Sequence, residues 1–384
     1  MTRTTCTIIV LIVLFIPLAK RYGVIPGADY KLNGAAEAAT KPTFSFHGFS
    51  DGDFQEKTTA YLQDNVGYKG FLIALKNQID YSLFNNLHYG VELGENGQLY
   101  SWEHVVNHCG QLTISDDSLH SKIRECVDLK RILDSMHIAS VFVLAPAKPN
   151  FYEDKLPAKY KGQSSANNDY HHVLSALNAN KLPVIDFNAW IKSMRNSSKY
   201  PLFPRLGTHW SYYGGGLAMD SLSKYIAAQL DLNLPIYKID SLKVTDQPGY
   251  KNDKDLGSLL NLLVPMKSDS LAYPSYSVNY DPEKHKKPKI LFIGDSFVWT
   301  LLDTKLPAQL FSAESRYWFY KHQLYQLDSK WITDNPDEVN LQELLKGTDI
   351  VIFVSTEFQN HRFDFELLHA IKGDLSITQA KTIN

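Results

Sequence analysis

The chain has 384 residues, 44% of them apolar and 21% charged, a globular composition that excludes a disordered or fibrous protein. Lys+Arg number 39 against Asp+Glu 41, a net charge of −2, so electrostatics give no reason to expect nucleic acid as a partner. Three cysteines exclude a disulfide scaffold and a zinc knuckle.

After Met1-Thr2-Arg3, an uncharged apolar run from Thr7 to Ala19 precedes Lys20-Arg21. As a helix the run spans about 20 Å, short of the roughly 30 Å hydrocarbon core. Thr4, Thr5 and Cys6, with Lys20 and Arg21 snorkelling, lengthen it into a thin anchor. A small-residue cleavage site does not follow closely, since Ala36-Glu37-Ala38 lies far downstream. The segment therefore reads as a signal-anchor rather than a removed signal peptide. Either way the body of the protein lies outside the cytoplasm, where Cys109 and Cys126 can form a bridge. Residues 22–50, rich in Gly, Ala, Lys and Thr, read as a tether, leaving 51–384 as one α/β domain.

Helical spacing over Asp53–Asn85 predicts two helices broken at Asn65-Val66-Gly67. Gly94 to Tyr100 reads as a turn entering a strand. Ser118–Met136 is helical, and Ala139 to Leu144 is a continuous apolar run, as expected of a strand buried on both faces. A helix over Tyr170–Asn180 and a strand over Leu182–Phe187 follow. Ser211 caps a helix running to about Leu230. Residues 232–286 read as a turn-rich insertion with a helical patch at Asp255–Leu263. Lys289 to Ile293 is a third buried strand with a helix from Phe297; residues 337–346 form a helix, and Asp349 to Val354 a fourth strand. Strands alternating with helices predict a mostly parallel sheet with helices on both faces.

Sites in such sheets form at the carboxyl ends of strands, and three segments lie there. Gly294-Asp295-Ser296 follows the third strand and opens a helix, a junction that can present the Ser296 hydroxyl with its own backbone N–H free for an oxyanion. The alternative is a helix cap. A serine needs an imidazole to take its proton, and His209 in Gly207-Thr208-His209-Trp210 is the candidate base. Trp210 walls a sugar site or packs in the core. In Pro146-Ala147-Lys148-Pro149-Asn150, Lys148 and Asn150 are candidate donors to substrate or oxyanion, or parts of a turn. The thirteen histidines are scattered, His171-His172 lack partners at ligand spacing, and Gly214-Gly215-Gly216 has no P-loop lysine; no metal or cofactor is expected.

Together these segments resemble the permuted SGNH-hydrolase-like proteins of bacterial exopolysaccharide acetylation, the alginate O-acetyltransferase (AlgJ/AlgX-like) and DHHW group. The turn at Gly94 to Tyr100, Pro146 with Lys148, Thr208-His209-Trp210, Gly294-Asp295-Ser296 and the last strand leading to Glu357 carry the resemblance, over about residues 50–370. It implies an SGNH-like α/β fold and a location in the periplasm or at the periplasmic face of the inner membrane. It also implies acetyl transfer to a polysaccharide hydroxyl through Ser296 and His209, with the acetyl donor supplied by a membrane-bound acyltransferase partner. Asp295, Lys148, Asn150, Trp210 and Glu357 become candidate substrate or oxyanion residues.

One position departs from the pattern. The family places the triad acid two residues before the histidine, and that position here is Gly207. Three consequences stay open: another carboxylate (Asp169, Asp186 or Asp220) orients His209, the site works as a slower dyad, or the chain is a non-catalytic glycan-binding scaffold. A carbohydrate or lipid esterase is a further alternative. If the triad is weakened, Gly207→Asp is expected to raise turnover.

Overall fold

The computed structural model describes residues 3–25, 29–163, 168–335, 338–363 and 365–373. The chain divides into Met1–Val91 with Gly257–Met266, and Glu92–Leu256 with Lys267–Asn384.

In the first unit the apolar N-terminal run lies in helix Arg3–Arg21. Among the described residues no helix is long and apolar enough to cross a membrane. Helices Asp53–Asp64 and Lys69–Phe84 break where Tyr68 turns left-handed, with φ 58°. Described residues of the 22–50 segment, read above as a tether, are hydrogen-bonded to other parts of this unit. Asn33 N–H donates to the Asn261 side chain at 2.7 Å, Ala39 N–H to Asp64 at 3.0 Å, and Ser45 caps the short helix Phe46–Ser50. Residues 257–266 join this unit because Asn77 donates to the Leu260 carbonyl (2.9 Å) and Val264 N–H donates to Gln78 (2.9 Å).

The second unit is built on a seven-stranded sheet. Its strands in chain order are β1 (Ala139–Ala145), β2 (Val184–Asp186), β3 (Ile290–Gly294), β4 (Arg316–Phe319), β5 (Gln323–Gln326), β6 (Trp331–Thr333) and β7 (Ile350–Thr356). Their spatial order is β6-β5-β4-β3-β7-β1-β2. The five strands from β4 to β2 are mutually parallel, and β5 and β6 extend the sheet antiparallel.

Period-two alternation divides the apolar runs between two cores. Val141, Val143, Ile352 and Val354 face one side with helices Phe187–Ser193, Tyr212–Leu230 and Phe297–Asp303. Phe142, Leu144, Val351 and Phe353 face the other with helices Asp116–Ser135, Asp169–Ala179 and Leu341–Leu345. Phe142 and Phe353 stack at 5.0 Å between neighbouring strands. Each fully buried Val, Leu or Phe of this kind stabilises the fold by roughly 1.5–3 kcal/mol.

One expectation is corrected here, and one question the sequence leaves open is answered. Residues 232–286 are not mainly turns: Ile236–Thr245 and Leu271–Asn279 pair as an antiparallel ribbon, with Tyr237, Tyr276 and Val278 packed against the first core. Cys109 and Cys126 are not bridged, because each is buried in a different apolar cluster.

Candidate active site

β3 and β7 run so close at Gly294 that a Cβ there would lie 2.5 Å from the Val354 carbonyl oxygen. Only glycine fits, and the chain turns sharply into helix Phe297–Asp303, with Ser296 at its N-cap. Asp295 is the staple of this turn and not a substrate contact. It is buried, with one carboxylate oxygen accepting from Phe297 N–H (3.0 Å) and the other from the backbone N–H and hydroxyl of Thr356 (both 2.8 Å). Burial pushes the Asp295 carboxyl up, and these donors pull it down.

His209 meets Ser296 there: Nε2 lies 2.8 Å from Ser296 Oγ. On the far side of the ring Nδ1 lies 2.8 Å from Asp255 Oδ2. Since a carboxylate only accepts, Nδ1 carries the proton and Nε2 is left to accept from the serine hydroxyl. Asp255 Oδ1 takes the N–H groups of Thr208 and Leu256, both at 2.8 Å, so the acid is oriented by the loop it serves. His209 is 6% exposed, and its ring packs on Phe297 at 4.6 Å.

Asp255 is therefore the acid that position 207 lacks. Asp169 binds Asn107 and the Ile114 N–H, Asp186 binds the Tyr170 hydroxyl and caps helix Phe187–Ser193, and Asp220 binds Tyr237 and Lys224. None of the three orients His209. Gly207 has a packing reason: a Cβ there would sit 2.3 Å from the Asn252 carbonyl oxygen, on the segment leading to Asp255.

Lys148 is no oxyanion donor. Its buried ammonium spends all three protons on the carbonyls of Pro204 (2.7 Å), Arg205 (2.9 Å) and Gly207 (2.9 Å), fixing the loop that carries His209. Trp210 is core rather than sugar wall: fully buried, it donates Nε1–H to the Phe297 carbonyl at 3.1 Å. Asn150 and Glu357 bind each other. Asn150 Nδ2 reaches Glu357 Oε1 (3.3 Å) and Asn188 (3.2 Å), while Lys192 donates to Asn150 Oδ1 (3.2 Å).

Glu357 is buried and burial pushes its carboxyl up to about 8. A raised acid favours the folded state below the unfolded value near 4.3, and that contribution is lost as pH climbs towards 8. Gln keeps the acceptor for Asn150 without the titration. In thermal melts, the stability of Glu357→Gln relative to wild type is expected to rise steadily between about pH 4.3 and 8 and to level off above. A pH-independent difference would refute the buried neutral acid.

Sequence reasoning missed three residues in the surroundings of Ser296 and His209. Asp255 opens the helical patch recognised above, but there it reads as an ordinary N-terminal acid. His104, in helix Trp102–His108, stacks on Phe297 at 6.3 Å, and burial holds it down to about 4, so the ring stays neutral. Tyr320, just beyond β4, donates its backbone N–H to the Gly294 carbonyl at 2.9 Å, beside the turn that carries Ser296, and burial pushes its hydroxyl up to about 12. Among the described residues no cluster of three or more His, Cys, Asp or Glu side chains is arranged to hold a metal ion.

The chain is 27% identical over 200 residues to the probable alginate O-acetylase AlgJ of Pseudomonas fluorescens, an alignment spanning 49% of this chain and 48% of that relative. The chain thus spans about half the length of the curated relative it matches. Similar solved structures include the O-acetyltransferase domain of Pseudomonas putida AlgJ (16% identity, TM-score 0.45, 71% of this chain and 92% of that one). Another is Bacillus cereus PatB1 with a sulfonyl adduct (14% identity, TM-score 0.44, 71% of this chain and 99% of that one). The model of the SGNH hydrolase-like domain of acetyltransferase AlgX matches residues 91–326, well over half of the sequence, and the chain belongs to that family.

Proposed function

We propose that this protein is an O-acetyltransferase of the cell envelope that moves an acetyl group onto a polysaccharide hydroxyl through a covalent acyl-serine. The observation that carries this reading is the unbroken hydrogen-bonded line from Asp255 through His209 to Ser296. Ser296 Oγ attacks the carbonyl carbon of the donor while Nε2 of His209 takes its proton. The carbonyl electron pair moves to oxygen, and collapse expels the donor's leaving group, which takes the proton back from His209. A sugar hydroxyl then attacks the acetyl-serine, His209 accepts its proton, and collapse returns that proton to Ser296 as the acetylated sugar leaves. Asp255 holds the tautomer and stabilises the imidazolium formed twice per cycle.

Membership of the AlgX family and the likeness to a probable alginate O-acetylase support acetyl transfer and a polysaccharide acceptor. The apolar run from Thr7 to Ala19, followed by Lys20 and Arg21, supports attachment to a membrane, and a catalytic unit on the periplasmic side follows from the family resemblance. In such a setting the donor is an acetyl group delivered by a membrane-bound acyltransferase. The scaffold alternative rested on the empty position 207, and an acid on His209 removes that ground.

A phosphonate probe is expected to label Ser296 stoichiometrically, as read by intact mass and peptide mapping, with labelling lost in His209→Ala. Labelling elsewhere, or undiminished labelling without His209, would refute the assignment. Acetyl release to water from an acetylated glycan, without transfer to a second glycan, would favour the esterase.

A further inference from the structure

We infer that Asp253 is a positioning residue of this site: gripped by the Tyr273 hydroxyl and the Tyr212 N–H, it holds the segment that carries Asp255 against the loop that carries His209. The inference rests on the acyl-serine reading above.

An acid two residues from its histidine is placed by the short chain between them. Here 46 positions separate Asp255 from His209, so local chain geometry does not set their 2.8 Å contact. Ordering so long a connection costs conformational entropy that specific bonds must offset. The single turn Lys251–Asp253, just before Asp255, supplies them.

Asp253 is 1% exposed. Its Oδ1 accepts from the Tyr212 N–H at 3.3 Å, three residues beyond His209 in the first turn of helix Tyr212–Leu230. Its Oδ2 accepts from the Tyr273 hydroxyl at 2.8 Å, on the ribbon strand Leu271–Asn279. The same hydroxyl accepts from the Gly249 N–H at 2.9 Å, so one phenol closes both ends of the loop from Gly249 to Asp253. Beside Asp253, Asn252 Nδ2 donates to Thr300 Oγ1 at 3.2 Å, in the helix that Ser296 opens. Base, nucleophile and acid are thus tied to one turn. Tyrosine rings pack around it: Tyr212 stacks on Tyr250 at 4.6 Å and meets Tyr273 at 5.5 Å.

Burial pushes the Asp253 carboxyl up to about 6, while the Tyr273 hydroxyl and the Tyr212 N–H pull it down, so at neutral pH it is a carboxylate with both oxygens accepting. Burial also pushes the Tyr273 hydroxyl up, so the phenol keeps its proton and donates it. A buried carboxylate that loses such a donor moves towards another donor or water. Asp255 lies two residues on and moves with it, and catalysis is sensitive to displacements of about 1 Å. The ribbon strand that bears Tyr273 thereby gains a place in the chemistry of Ser296.

The experiment measures turnover of para-nitrophenyl acetate across pH by wild type, Tyr273→Phe, Asp255→Asn and the double variant. Tyr273→Phe keeps the ring packing and every charge, and deletes only the donor. It is expected to lower kcat about 10-fold with KM nearly unchanged. The acid limb of kcat/KM, which reports the imidazole of His209, is expected to move to lower pH, because a carboxylate that drifts from the ring no longer favours the imidazolium. His209 also feels Asp295, Asp303 and His104, and the exchange alters none of their charges. In the Asp255→Asn background, Tyr273→Phe is expected to cost less than twofold more, since its effect runs through the carboxylate already removed. A kcat within twofold of wild type, an unmoved acid limb, a full 10-fold loss added to Asp255→Asn, or failure of Tyr273→Phe to fold would each overturn the inference; the last two mark a purely structural bond. A wild-type protein that neither turns over the ester nor takes the phosphonate at Ser296 defeats the acyl-serine reading itself; a reactive Ser296 indifferent to position 273 defeats only this inference.

Discussion

Asp255→Asn is expected to lower kcat for a small acetyl ester by about 10⁴-fold while leaving the fold intact, following the serine-protease case in which the same exchange has that effect. The side-chain carbonyl of the new amide can still accept from the Thr208 and Leu256 N–H groups, which Oδ1 of Asp255 holds at 2.8 Å. The amide then points its NH2 at His209 Nδ1, where a proton already sits. The imidazole escapes the clash by moving its proton to Nε2, the nitrogen 2.8 Å from Ser296 Oγ, and can no longer act as base. Circular dichroism and melting behaviour are expected to match wild type, and reactivity of Ser296 towards a phosphonate to fall in parallel with turnover. A loss of tenfold or less would mean that His209 needs no carboxylate and the site runs as a dyad.

How much of this was legible in the sequence depends on the range of the interaction. β1, β3 and β7 announce themselves as unbroken apolar runs because both their faces are buried. The pairing of Ser296 with His209 rested on chemistry, a serine that needs an imidazole to take its proton, and on motifs that occur in a known permuted order. The β4–β5 hairpin was not legible, because its turn residues, Tyr320 and Lys321, carry no turn signal and adopt left-handed conformations only under tertiary constraint. Asp255 was hidden by distance: 46 positions separate it from His209, and nothing local distinguishes a triad acid from a helix-opening aspartate. Lys148 shows the reverse error. A lysine at a strand's carboxyl end suggests substrate binding, yet three backbone carbonyls consume it, a role that depends on where residues 204–207 happen to pass.

Gly207→Asp, which would restore the family's acid in its usual place, is expected to damage the protein instead. The new Cβ alone would lie 2.3 Å from the Asn252 carbonyl oxygen and 2.8 Å from Pro204 Cγ, and backbone atoms cannot yield as a flexible side-chain end can. Overpacking of this kind costs on the order of 1–3 kcal/mol, seen as a lowered melting temperature. The larger effect falls on catalysis. The displaced segment runs through Asn252 and Asp253 to Asp255, so relief of the clash draws the acid away from His209; the carbonyl of residue 207 also accepts from Lys148, which holds the same loop. Turnover is therefore expected to drop by a factor approaching that of Asp255→Asn, with Gly207→Ala changing in the same direction. Adding Gly207→Asp to Asp255→Asn is expected to recover nothing, because an aspartate at 207 would have to occupy space that Asn252 fills. Recovery of more than tenfold in that double variant would show that the loop can accept either arrangement, and that the pairing of a glycine at 207 with an acid at 255 is not enforced by packing.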